Sequence, residues 1–138
     1  MSPTRVLIVE DFEPFRRFVC STLGKVFHLQ VIGQLSDGLD AVQKAEELKP
    51  DLILLDIGLP SLNGIAAGRR IRKLAPDSKI IFVSQESSPD VVHEALSFGA
   101  LGYVLKARAG NELLAAVEAV LGGRQFVSSG LQIAPDPV

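Results

Sequence analysis

The sequence has no tryptophan, one tyrosine, one methionine and one cysteine. A single cysteine excludes an internal disulfide. Cys20 lies in the apolar helical pattern FRRFVCSTL and reads as a small core residue. The two histidines, His28 and His93, stand far apart without ligand spacing, so they point to no zinc site, and His93 reads as a surface residue. No apolar run approaches the ~18 residues of a membrane span, so no membrane partner is expected. The opening MSPTRVLIVED runs quickly into acids, unlike a signal peptide. A net charge of −2 gives no global drive toward nucleic acid or an anionic membrane. The one basic cluster, RRIRK at Arg69 to Lys73, spreads its charges around a helix and reads as a solvated face. What remains is a cytoplasmic protein of ordinary globular composition, 138 residues long and able to bury a real core.

Against these absences stand five short apolar runs: RVLIV (5–9), LQVIG (29–33), LILLD (52–56), KIIFVS (79–84) and GYVLK (102–106). Their brevity and β-branched content predict strands. The segments between them carry apolar residues at helical spacing, such as Phe15, Phe18, Val19 and Leu23, or Leu113, Leu114, Val117 and Leu121. In the third helical segment Gly68 lets backbones approach. Five strand–helix alternations predict an α/β, doubly wound parallel sheet of five strands, flavodoxin-like, in the order 2-1-3-4-5, with helices on both faces. Gly122 and Gly123 stop the last helix. The expected organisation is one domain over residues 1–127, with 128–138 a tail or truncated linker; RQFVSSGLQIAPDPV, with its Ser, Gly and two prolines, reads as a tail or linker.

The third run raises the chemical question, because an unbroken buried strand ends in a carboxylate, Asp56. Ligands of open α/β sheets bind beyond the carboxyl ends of the strands. There the sequence places Glu10 and Asp11 after strand 1, Asp56 after strand 3, Ser84 after strand 4 and Lys106 after strand 5. Three carboxylates in one crevice repel by about 3 kcal/mol per pair at ~5 Å and an effective dielectric of ~20. Helix capping does not justify that cost, whereas a hard cation such as Mg²⁺ does. Asp56 then reads as a nucleophile able to form an acyl phosphate. Lys106 and the metal would neutralise the transferring phosphoryl group, and Ser84 would donate a hydrogen bond to it. Taken singly the same residues have blander readings: Asp11 as a helix cap, Ser84 as an ordinary strand end, Lys106 as an exposed cation, Tyr103 as packing.

These motifs resemble the receiver domain of bacterial two-component response regulators over residues 4–127. The resemblance is carried by VEDFEP with Glu10 and Asp11, LLDIGLPSLNG with Asp56, Pro60 and Gly64, FVSQ with Ser84, and GYVLKA with Tyr103 and Lys106. The stretch NELLAAVEAVLGGRQFVSSGL is similar to the last helix and exit of regulators with a helix-turn-helix output domain. The resemblance implies that Asp56 accepts phosphate from a histidine kinase. It implies that Asp11, Asp56 and the Ile57 carbonyl hold Mg²⁺ directly, and Glu10 mostly through water. It makes Ser84 and Tyr103 a switch in which Ser84 is drawn inward and Tyr103 turns into the vacated space. The fourth helix, fifth strand and fifth helix then form the readout face, from about Pro89 to Leu121. The output is transcription, and a homodimer on activation is compatible with it. The alternative is a free-standing or degenerate receiver acting only through protein–protein contacts, and in neither reading does this chain itself bind DNA.

The departures are Glu-Asp for the commoner Asp-Asp, Ser84 for threonine, Gln85 where a small residue is usual, and Ala107 for proline. The peptide after the lysine is often cis in relatives, and a cis Lys106–Ala107 bond is expected here despite its cost of roughly 3 kcal/mol. Gln85 is expected to restrict access to Asp56. Gly58, two residues after Asp56, stands where an aspartyl-phosphate hydrolase needs its general acid. That argues for self-phosphorylation and self-dephosphorylation only, not an enzyme acting on outside substrates. A flavin module would need a phosphate loop after strand 1, where EDFEPF is acidic instead. Crowding predicts that at least one of Glu10, Asp11 and Asp56 has a raised pKa.

Overall fold

A computed structural model describes residues 2–131. The strands are β1 (Thr4–Val9), β2 (Leu29–Leu35), β3 (Leu52–Leu55), β4 (Lys79–Ser84), β5 (Gly102–Leu105) and β6 (Phe126–Val127). The helices are α1 (Glu13–Gly24), α2 (Gly38–Leu48), α3 (Gly64–Leu74), α4 (Pro89–Leu96) and α5 (Ala109–Leu121). All pairings are parallel, and the sheet order is 2-1-3-4-5-6. The expected sheet of five strands is therefore corrected to six. Phe126 and Val127 pair with Gly102 and Tyr103, inside a stretch read as tail or linker. Residues 128–131 are docked as well: Ser128 is buried, and Leu131 packs on the core. The rest of the expected tail, 132–138, lies outside the described residues.

The alternation of side chains along the strands divides the core in two. Leu7, Val9, Ile53, Leu55, Ile80 and Phe82 face α2, α3 and α4, where Ala41, Ala45, Ile71, Val92 and Ala95 meet them. Val6, Ile8, Leu52, Leu54, Ile81 and Val104 face α1 and α5, through Val19, Leu23, Leu113, Ala116 and Val117. β3 is buried at all four positions, which is why its sequence shows no alternation. Not every residue of the helical stripes is core: Phe18 is 40% exposed and Leu114 42%, so the buried stripe is narrower than their spacing suggests.

Local chemistry sets the helix starts at the site end. α2 is capped by the Asp37 side chain, which accepts from Leu39 and Asp40 N–H. The Asn63 side chain does the same for α3 through Ala66 N–H. α1 has no side-chain cap at Phe12; instead Glu10 reaches forward, and its Oε2 accepts from Phe12 N–H at 3.0 Å. No cis peptide occurs among the described residues, so the expected cis Lys106–Ala107 bond is corrected to trans. The trans peptide is accommodated because Lys106–Arg108 form a 3-10 turn leading directly into α5, avoiding the non-proline cis cost.

Candidate functional site

The carboxyl ends of β1, β3, β4 and β5 surround an open cavity of about 450 Å³. Asp11, Asp56, Gly58, Ser84, Gln85 and Lys106 line it, joined by Ile57, Phe12 and Glu86. The strand-end residues chosen from the sequence are thus brought together. Carboxylate oxygens of Glu10, Asp11 and Asp56 lie within 4.8 Å of one another. Glu10 and Asp56 are buried and Asp11 is exposed.

Lys106 sits against the two buried acids. Its Nζ lies 2.8 Å from Glu10 Oε1 and 3.3 Å from Asp56 Oδ2. Asp56 Oδ1 accepts from Ile57 N–H at 2.8 Å. Burial raises the Glu10 pKa; the Lys106 and Phe12 bonds oppose that rise, and the Asp56 charge adds to it. Burial also works to lower the Lys106 pKa, but the bond to Glu10 and the charges of Asp56 and Glu10 outweigh it, and the net shift is upward. The expected raised carboxyl is therefore Glu10, with desolvation leading and like-charge crowding second to the opposing bonds.

The residues fit a hard divalent cation in part of the expected set. Asp11 and Asp56 offer oxygens to the cavity, the oxygen-rich donor chemistry Mg²⁺ takes. Glu10 has both oxygens engaged, by Lys106 and by Phe12 N–H, which suits it to an indirect role. The Ile57 carbonyl already accepts from Gly64 N–H at 2.7 Å and Leu59 N–H at 2.9 Å. With both lone pairs used by the loop, Ile57 fits poorly as a direct ligand. Ile57 and Gly58 both border the cavity.

Ser84 and Tyr103 are linked through Glu86. Ser84 Oγ accepts from Glu86 N–H at 3.1 Å, and Tyr103 Oη donates to the Glu86 carbonyl at 2.7 Å. Tyr103 is fully buried, so the ring already occupies the inward position that the sequence reading gave it only after phosphorylation. Sequence reasoning missed Phe12 and Glu86 at the rim. Their only signal was nearness in sequence, Phe12 next to Asp11 and Glu86 two residues after Ser84.

Burial pushes the Tyr103 hydroxyl up to about 12 against an ordinary value of 10.0; Ser84 opposes the shift, and Glu86 and Asp56 reinforce it. A raised value means the fold favours the neutral phenol. The resulting stability is fully present below pH 10 and is lost as pH rises from 10 through about 12. Tyr103 is the sole tyrosine, so ultraviolet difference absorbance reports it alone. We expect its titration to coincide with alkaline unfolding followed by circular dichroism. A midpoint near 10 with the fold intact would contradict this burial.

The sequence pattern of the family described as "Response regulator receiver domain" matches residues 6–118. The chain belongs to this family. The receiver is 33% identical over 124 residues to the response regulator GacA of Pseudomonas viridiflava, covering 90% of this chain and 58% of that protein. It is 34% identical over 125 residues to the transcriptional regulatory protein LiaR of Bacillus subtilis, covering 91% and 59%. Among solved structures, it resembles a LuxR-family two-component response regulator from Aurantimonas sp. SI85-9A1, with TM-score 0.87 and 29% identity over 93% of this chain and 91% of that one. The receiver thus spans less than two thirds of the length of these curated relatives. Among the described residues no helix is long and apolar enough to cross a membrane.

Proposed function

We propose that this receiver is a cytoplasmic switch that takes a phosphoryl group from a histidine kinase onto Asp56. The observation that carries the reading is a buried carboxylate at a strand end, 3.3 Å from an ammonium and beside two further acids, opening onto a cavity. An Asp56 oxygen would attack the phosphorus of a phosphohistidine. The P–O bond forms as the P–N bond breaks, and the imidazole leaves with the electron pair and takes up a proton. Lys106 supplies positive charge to the phosphoryl oxygens, and the Ser84 hydroxyl a hydrogen bond. Mg²⁺, held by Asp11 and Asp56, would supply further charge neutralisation. In hydrolysis water would attack the phosphorus, the P–O bond to Asp56 would break, and the carboxylate would leave with the electron pair as phosphate departs carrying the water oxygen and its protons. No general acid stands at Gly58, so turnover of outside substrates is not proposed.

The output would pass through α4, β5 and α5, because Tyr103 joins β5 to the Ser84–Glu86 loop ahead of α4. Transcription control, by an attached domain or a partner and with a homodimer on activation, is the proposed consequence, since the relatives include a transcriptional regulatory protein. The test is NMR with Mg²⁺ and beryllium fluoride on wild type and Asp56→Asn. Shifts in α4–β5–α5 of the wild type alone support the proposal. Their absence in wild type, or persistence in Asp56→Asn, would reject it.

Gln85 is exposed at the rim of the cavity, beside Ser84. Gln85→Ala is expected to speed labelling by acetyl phosphate and dephosphorylation about threefold to tenfold, a barrier change of about 0.7–1.4 kcal/mol. Rates within about twofold of wild type, under ~0.5 kcal/mol, would make Gln85 a bystander.

A further inference from the structure

We propose that Phe15 is a positioning residue for Lys106, forming the third wall of the ammonium's seat. This rests on the phosphoacceptor reading of Asp56, which the test below separates from it. The Lys106 Nζ lies over the Phe15 ring, 5.1 Å from its centroid. That is inside the ~6 Å range in which a ring face attracts a cation. The other two walls are Glu10 Oε1 at 2.8 Å and Asp56 Oδ2 at 3.3 Å.

An ammonium has three N–H donors and no acceptor. Two carboxylates and one ring face account for three directions. Lys106 is 12% exposed in its side chain, so little water competes for the third direction. A ring face differs here from an aliphatic wall, because it attracts the charge and excludes water together. It also differs from a third carboxylate, because it adds no negative charge to a crowded site and forms no tight ion pair that would hold the lysine back from an incoming phosphoryl oxygen.

The local structure explains how Phe15 reaches this place. Glu10 Oε2 fixes the Phe12 N–H, Pro14 stands in the first turn, and α1 begins at Glu13. The third residue of α1 is then presented beneath the crevice. Phe18 braces it from behind, with ring centroids 5.7 Å apart. One residue, Glu10, thus organises both sides of the seat: one oxygen binds the lysine and the other sets the start of the helix that carries the ring.

The experiment compares Phe15→Leu, Phe15→Met and Phe15→Tyr with wild type. Each is checked for folding by thermal melting, and Met keeps the volume should Leu fail to fold. In the presence of Mg²⁺, beryllium fluoride affinity should fall about threefold to tenfold in Leu and Met, and stay within about twofold in Tyr. Independently, the Lys106 side-chain methylene protons should show an upfield ring-current shift in wild type and Phe15→Tyr that vanishes in Leu and Met. A structural role alone would not make affinity follow the ring. The proposal is overturned if Leu and Met bind within about twofold of wild type, or if Tyr falls as far as Leu. If wild type does not respond to beryllium fluoride, the phosphoacceptor reading fails, and the ring-current shift decides the seat: its absence overturns it.

Discussion

Gly64→Ala is expected to destabilise the receiver by about 3 kcal/mol or more, among the larger effects of a single methyl. A Cβ at Gly64 would stand 1.8 Å from the Asp56 carbonyl oxygen, 2.7 Å from its carbon and 2.8 Å from Ile57 Cα. All three are backbone atoms, so no rotamer change relieves the clash. The approach is close because Gly64 N–H donates to the Ile57 carbonyl at 2.7 Å, folding the β3–α3 loop back on itself. Forcing it open moves the peptide that carries Asp56. Denaturant unfolding measures the loss, and the response to beryllium fluoride should weaken with it. Gly58→Ala is the contrast: nothing lies within 4 Å of a Cβ there, so a cost under about 1 kcal/mol is expected. Similar costs for the two alanines would refute this account of the loop.

Lys106→Met should move two ligands in opposite directions. The ammonium lies 2.8 Å and 3.3 Å from two buried carboxylates. Removing it leaves three acids without their nearest cation, and a divalent ion becomes the available remedy. One charge near 4 Å is worth about 4 kcal/mol at an effective dielectric of ~20, before the cost of rearranging water and side chains. Retaining a third of that would tighten Mg²⁺ binding about tenfold. The phosphoryl mimic should bind at least about tenfold more weakly, because it loses the ammonium that faces its anionic fluorines. Calorimetric titration of each ligand checks both signs. Equal Mg²⁺ affinity in the variant would mean that Lys106 does not neutralise the site.

Much of this was legible in the sequence because it was written in period and position. The run Leu52–Leu55 carries no polar residue, and a strand buried on both faces needs none, so the carboxylate that ends it stood out. Glu10, Ser84 and Lys106 followed from the same rule about strand ends. What escaped depends on distant partners. β6 is two residues long and pairs only because β5 leaves an edge beside it. The Ile57 carbonyl was a candidate ligand until Gly64 and Leu59 were seen to occupy it. Phe15 was read as one member of a core stripe, and only the return of the chain at Lys106 puts a cation over its ring. For Tyr103 the sequence offers ordinary packing or a turn inward on activation; its bond to the Glu86 carbonyl, seventeen residues away, is visible only in the fold.

The sixth strand changes where the chain departs. α5 runs away from the phosphoacceptor crevice, and a chain released at Gly123 would leave from the far end of the sheet. Pairing of Phe126 and Val127 parallel to β5 turns it back, and a turn at residues 129–130, closed by Leu131 N–H on the Ser128 carbonyl, follows. On the way, Ser128 N–H donates to the Tyr103 carbonyl, Ser128 Oγ accepts from Leu105 N–H, and Ser129 N–H and Oγ donate to Glu112 in the first turn of α5. The last described residues are thus held beside β5 and the start of α5, and the Leu105 amide gripped by Ser128 is one peptide from Lys106. The consequence is a short route: two residues, Ser128 and Leu105, separate the sixth strand from the lysine of the site.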